Sequence, residues 1–384
     1  MEPLRVAWSD FVRQLSDQLT SAGAEILDAP LSELDRAEGI RALLRDSRKS
    51  MERAVENLDH DFPFFSEVYS DTYHLVGDTP DYTIHAAVLE PDGTYRIRGV
   101  TGASTRFNFT TQGPSPGSPD AGVLSSLVYP EAKSVITGTL DDTDLTIDSE
   151  GRFEILLSRE RPSAGDWLPM GDTTSLVLVR NEFHSRYPEH LRWSPAKLRI
   201  ERLDAAARPA PLDQARLAAA LRDAVAEVGA ATLGRARISG GIYGAGDGNL
   251  SFDKSRWSSG GGNPRTVFAT GGWRLAPDQA LVLDIDKVPE SAFWIVLLTN
   301  RWMETLDFRF GPVSVNRSTA VLRSDGGLRL VVAHEDPGVP NWLDTAGHDN
   351  GTIMWRWNYP RQQPPSPRSR IVPLSQVPDL PPTE

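Results

Sequence analysis

Five residues near the end of the chain could carry acid–base chemistry: Glu304, Asp307, Asp336, Asp344 and His348. Among them stand Trp302, Asn341, Trp342 and Arg356, which could hold a substrate by ring stacking, amide hydrogen bonds and charge. Cleavage of a glycosidic bond needs two carboxylates about 5 to 10 Å apart, one protonating the leaving oxygen and one acting as nucleophile or base. Glu304 and Asp307 flank the turn after "NRWM", and Asp336 and Asp344 flank the "NWL" turn. If both loops lie at one end of a β-sandwich, a carboxylate pair across a cleft is feasible. The plainer alternative is that loop acids are solvated and strand tryptophans fill a core.

Other chemistries find less support. His334, Asp336, Asp344 and His348 fall within 15 residues, and imidazole with carboxylate suits zinc, manganese or iron. They match no recognised ligand spacing, so no metal is assigned. The run "GGIYGAGDG" has the glycines of a dinucleotide fingerprint, but a helical pattern precedes it and a loop follows, not the strand and helix of a βαβ unit. "DDTDLTIDSEG" departs from calcium-loop spacing and reads as a solvated hairpin. No G-x-S-x-G elbow occurs. The absence of cysteine excludes disulfides, thiol nucleophiles and cysteine-ligated metals. The chemistry predicted is therefore hydrolase-like and free of cofactor, on a small hydroxylated or glycan substrate. The alternative is a binding or assembly module, in which the same aromatics make a ligand site or join copies into a homo-oligomer.

Arg180 and His184 form a separate candidate. They follow a strongly apolar strand and open a polar segment, and strand ends beside clefts often carry function. An ion pair of Arg180 or His184 with Glu182 or Glu189 is the structural alternative.

These residues need a frame to position them. The chain has 384 residues, 39% of them hydrophobic, which suffices for a large core. Its net charge of −12 argues against nucleic acid as a partner. The N-terminus has no apolar leader pattern, and the longest apolar run, Ser291 to Thr299, is too short to span a bilayer. A cytoplasmic protein without a membrane partner is expected.

Residues 1–60 read as a helical hairpin, a scaffold without chemistry. Val6, Phe11, Leu15 and Leu19 share one face, and Ser32 caps a second helix carrying Leu34, Ile40, Leu43, Leu44, Met51 and Val55. From 61 to 205, short β-branched and aromatic runs alternate with Gly, Pro and Asp turns, the grammar of an antiparallel sandwich. Residues 206–272 hold a helix, from Pro211 to Gly229, and then a Gly-rich loop from Ser239 to Trp273. Strand grammar returns over 273–360, and 361–384 is a Pro-rich tail running extended over the surface or lacking order. Three similar hairpins, "EPDGTYRIR", "DSEGRFEIL" and "RSDGGLRLV", suggest two units of one kind. The fold expected is mainly β: two tandem jelly-roll-like antiparallel sandwiches, a helical hairpin before them and a helical segment between.

Specific motifs support that fold. Pro289, Glu290, Phe293 and Trp294 are followed by an Asp325–Gly326 hairpin, then by Asn341–Trp342–Leu343 and by Trp355–Arg356–Trp357. Over about 273–360 this pattern resembles the DUF1214 domain family. The resemblance implies a double jelly-roll architecture, shared with large viral capsid subunits and some glycan-active enzymes, and implies no particular reaction. Period-two alternation puts Trp355 and Trp357 on one strand face and Arg356 on the other. Either the tryptophans are core and Arg356 lies outside, or Arg356 lines a pocket and the tryptophans face a partner.

Overall fold

The computed structural model describes residues 3–70, 73–115, 134–183, 196–243, 246–252 and 262–381, and of Pro3 and 230–242 the backbone alone. The described chain is mainly β, with four sheets, none closed into a barrel, and three long helices. Helices α1 (Pro3–Asp28) and α2 (Glu33–Glu56) form the expected pair. Ser32 caps α2, accepting the Asp35 amide at 3.0 Å, and Glu33 and Asp35 complement the positive end of the helix.

The first β unit contains β1 (Ser66–Tyr69), β2 (Tyr82–Val88), β3 (Tyr95–Val100), β4 (Arg106–Pro114), β5 (Ser134–Asp141), β6 (Arg152–Ser158), β7 (Asp166–Pro169), β8 (Leu176–Glu182) and β9 (Lys197–Arg202). One sheet runs β1-β2-β8-β4-β5 and the other β7-β6-β3-β9. Between them lie Ile97, Phe109, Phe153, Ile155, Val177 and Val179.

Helix α3 (Gln214–Tyr243) follows. It runs past Gly229, where the sequence suggests an end. A Cβ at Gly229 would meet the Gln18 amide of α1 at 2.7 Å, so this glycine allows a close helix crossing and is not a cap. The Gly-rich loop is correspondingly shorter than expected, and 253–261 lies outside the described residues.

The second unit contains β10 (Ser251–Phe252), β11 (Thr266–Arg274), β12 (Gln279–Ile285), β13 (Phe293–Thr299), β14 (Ser314–Asn316), β15 (Leu328–Ala333), β16 (Trp342–Asp344), β17 (Asn350–Asn358) and β18 (Arg368–Pro373). Its sheets run β10-β11-β17-β13-β14 and β16-β15-β12-β18. Strand pairing thus begins before Trp273. The Pro-rich tail is also ordered: β18 pairs along the edge of β12, and its Arg368 and Arg370 reach Asp286 and Asp284. Its one paired proline, Pro373, is the last residue of the strand, opposite Gln279, as an edge strand permits.

Alternation on β17 fixes the stacking of the layers. Ile353, Trp355 and Trp357 enter the core of the second sandwich with Trp294, Leu281 and Leu330. Met354, Arg356 and Asn358 point the other way, onto the first unit. Likewise β8 turns Val177 and Val179 into the first core, and Arg180 and Glu182 out of it. The two central sheets therefore pack face to face, with both faces of each covered.

Candidate functional site

The loop residues singled out by sequence are each held by a different partner. Glu304 is 1% exposed and accepts Arg45 Nη1 of α2 at 2.7 Å. Asp307, half-buried, pairs with Arg309 at 2.6 Å, and that partner holds its carboxyl below the usual range. Asp336 is exposed and accepts the Gly338 amide at 2.8 Å. Asp344 is half-buried and accepts the Ala346 amide at 2.8 Å. His348 is buried, with Nε2 3.0 Å from Glu38 of α2.

The binding candidates serve packing. Trp302 lies between α1 and α2 with Ile26, Ala42 and Leu43, and its indole donates to the Asp35 carbonyl at 2.7 Å. Asn341 adopts a φ of 59° and bridges Val321 to the Arg329 carbonyl. Trp342 donates to the Ala333 carbonyl and packs under Val377 and Leu380 of the tail. Trp355 and Trp357 stack at 4.6 Å inside the core, so they present no face to a partner. Arg356 is on the opposite face, as alternation requires, yet is buried. It donates to the Gly77 and Asp78 carbonyls of the first unit and lies 5.5 Å from the Phe268 ring. Both alternatives stated for this strand are half right: the tryptophans are core, and Arg356 lines an interior seam.

The helical pair is thus more than a remote scaffold, because α2 supplies the partners of Glu304, His348 and Trp302. Burial alone would lower the His348 pKa, but the hydrogen bond and charge of Glu38, with the Thr345 and Ala346 carbonyls, outweigh it and leave it raised. For Glu38, burial alone would raise the pKa, and His348, Arg41 and Asn300 together lower it. The His348 contribution is full below its ordinary value of 6.5 and is lost as pH rises through the raised folded pKa. The Glu38 contribution is present above 4.5 and lost as pH falls through the lowered one. The stability difference between wild type and Glu38→Gln should therefore be largest between these values and shrink towards alkaline pH. Denaturant titrations across pH measure it, and a difference that stays flat would show that the pair does not ionise as described.

A different cluster lies in the seam between the sandwiches. In register across β2, β8 and β4 stand Tyr82, Glu182 and Arg106, and two residues along stand Arg180, Asn108 and Asp141 across β8, β4 and β5. Two residues is one pleat period, so both rows share the face that meets the second unit. Glu182 accepts Tyr82 OH at 2.9 Å and also Asn358 Nδ2 from β17. Asp141 accepts Asn108 Nδ2 at 2.7 Å, Arg265 Nη1 at 2.7 Å and the Tyr359 hydroxyl. Tyr359 has a φ of 52°, unusual for a non-glycine residue, and the guanidinium groups of Arg106 and Arg265 both lie over its ring. Tyr82, Arg106, Asn108, Arg180, Glu182 and Tyr359 line a cavity of about 20 Å³, room for one water, so a larger ligand must displace part of its rim.

Titration here is strongly perturbed. Burial, opposed by Asn316 and reinforced by Glu182, raises Asp81 to about 8, so this acid is largely protonated at neutral pH. Burial and then the Glu182 charge lift Tyr82 well above its ordinary value. Burial lowers Arg180 to about 10. Tyr69 and Tyr359 are raised, each first by burial.

Among these residues, sequence reasoning singles out Arg180 alone. Asp141 and Asp142, read there as part of a solvated hairpin, instead face the seam. Arg265 and Tyr359 from the second unit fold over Asp141, and Arg106 pairs with Asp142 at 2.8 Å. His184 lies outside the described residues. Among the described residues, no group of three His, Asp or Glu could hold a metal ion, and no helix is long and apolar enough to cross a membrane.

Fold and seam together define a class: a tandem β-sandwich protein with a polar, titratable cleft between its units. The chain belongs to the family described as "Protein of unknown function (DUF1214)", whose model matches residues 264–362. It is 38% identical to an uncharacterized protein from Burkholderia cenocepacia of solved structure, over 96% of this chain and 97% of that one, with a TM-score of 0.85. The VPA0106 protein from Vibrio parahaemolyticus is 12% identical, over 86% of this chain and 99% of that one, with a TM-score of 0.46. No curated protein matches the chain.

Proposed function

We propose that the cleft between the sandwiches binds a small hydroxylated or glycosidic compound and acts on it by carboxylate acid–base chemistry, without an organic cofactor. Glu182 is the group we assign as the acid–base residue. The observation that carries this reading is the placement of its carboxylate by donors from both units, Tyr82 and Asn358, at the wall of the cavity. A carboxylate fixed by two donors has little freedom to turn away from a ligand. Tyr82 orients Glu182, and Arg180 and Asn108 present charge and an amide to substrate oxygens. Perturbed titration in a concave site supports a functional role. The reading moves the chemistry from the loop acids, each tied to a partner of its own, to the seam.

An unbiased panel of glycosides and polyhydroxy compounds tests it. On whichever compound the protein turns over, Glu182→Gln should reduce the rate by about 10²-fold or more with the fold intact. Turnover of nothing in the panel, or an unaltered rate in the variant, would sink the proposal.

A further inference from the structure

Two chemically distinct groups stand side by side on the cleft wall. One is Glu182 with Tyr82 and Asn358, an arrangement suited to hydroxyl groups. The other is its cross-strand neighbour Arg106, and both of its hydrogen bonds leave from Nε, to the two oxygens of Asp142 at 2.8 and 3.1 Å. Its Nη1 and Nη2 make no further hydrogen bond among the described residues. The guanidinium is partly exposed, at 24%, and lines the cavity. It lies 5.0 Å from the centre of the Tyr359 ring, whose own backbone is held at φ 52°.

A guanidinium offers more than one edge for a carboxylate. Asp142 occupies the Nε side, which leaves the Nη1–Nη2 edge, a fork matched to two carboxylate oxygens. The Tyr359 ring beneath it and Asp142 on its Nε side restrict the guanidinium before any ligand arrives, so less side-chain freedom is lost on binding. Glu182 stands directly across from Arg106 on the adjacent strand, and its negative charge repels an anion placed against it. A ligand satisfies both groups only if its charge and its hydroxyls are on different atoms.

We propose that the ligand of this cleft is a polyhydroxy acid, of the aldonic or uronic acid class, with its carboxylate on the Nη edge of Arg106 and a hydroxyl on Glu182. This rests on the reading of the cleft as a hydroxylated-ligand site, and it adds the acid as the determinant of selection.

The test is a binding titration of the full chain with glucuronate, its methyl ester, gluconate and glucose. At least one of the two acids should bind about tenfold or more tighter than the neutral ester and glucose, with the preference falling as salt is raised. Arg106→Gln should remove the preference while leaving the weaker neutral binding in place. Arg106→Lys keeps the charge without the fork and should retain part of it. Should Arg106→Gln fail to fold, the wild-type acid-to-ester ratio and the lysine variant decide. Equal binding of acid and ester overturns this inference alone, as does a preference that survives Arg106→Gln. Binding of none of the four counts against the hydroxylated-ligand reading as well, and tighter binding of glucose 6-phosphate than of either acid replaces carboxylate by phosphate and overturns the class named here.

Discussion

Arg356→Ala is expected to destabilise the protein by about 2 to 4 kcal/mol, because it acts through two costs at once. Arg356 is 8% exposed, and its guanidinium lies in the seam between the central sheets beside Met354 and Phe268. Truncation leaves a cavity there. It also strips the Gly77 and Asp78 carbonyls of a charged donor in a place water reaches poorly. Arg356→Met refills much of the volume without the donors, so the difference between the two variants separates packing from hydrogen bonding. Equilibrium denaturation measures both. A loss below about 1 kcal/mol for the alanine variant would show that the seam is hydrated or that the two units are coupled elsewhere. Because Arg356 joins the units, its loss is also expected to separate their unfolding into two steps.

The architecture was largely legible in the residues, for reasons that can be named. Ser32 with Glu33 and Asp35 reads as a helix start because the capping chemistry is local. Short alternating strands divided by Gly and Asp read as sandwiches because period two and turn geometry are local as well. The tail was less legible, because the pairing of β18 with β12 joins segments about 90 residues apart and no local signal marks the partner. Gly229 reads as a helix end for a related reason: its missing side chain serves contact with Gln18, which no local signal marks.

The cleft was the hardest part to read. Its lining comes from β2, β4, β8, the start of β11 and the end of β17, and only the fold brings these together. A partial signal did exist. Arg180 and Glu182 follow four consecutive apolar residues in β8, and Asn108 follows a phenylalanine in β4. Polar side chains in strands buried on both faces need partners, so each hints at a polar seam. The Trp-rich loops carry the stronger local signal, because tryptophan and carboxylate are common in binding sites. Here Glu304 and His348 are buried against α2, and that burial shows in no residue type or spacing.

Trp302→Ala is the sharpest test of how α1 and α2 are held to the second sandwich, and about 3 to 5 kcal/mol of stability should be lost. Trp302 is 5% exposed among Ile26, Ala42 and Leu43, and its indole satisfies the Asp35 carbonyl. Gly39 of α2 lies so close to this ring that an added Cβ would meet its Cζ2 at 2.5 Å, which shows how little space the joint contains. Gly39→Val should therefore act in the same direction through overpacking where Trp302→Ala acts through a cavity. Both should increase amide exchange along α2 and release Arg45 from Glu304 and Glu38 from His348, while the core around Trp355 and Trp357 stays protected. If exchange instead rises uniformly through both sandwiches, the helices belong to one cooperative unit with them. If neither variant changes exchange in α2, Trp302 is not the joint. The first outcome would mean that the loop carrying Glu304 is fixed by the whole fold, and the expected one would mean that its order depends on α2 alone.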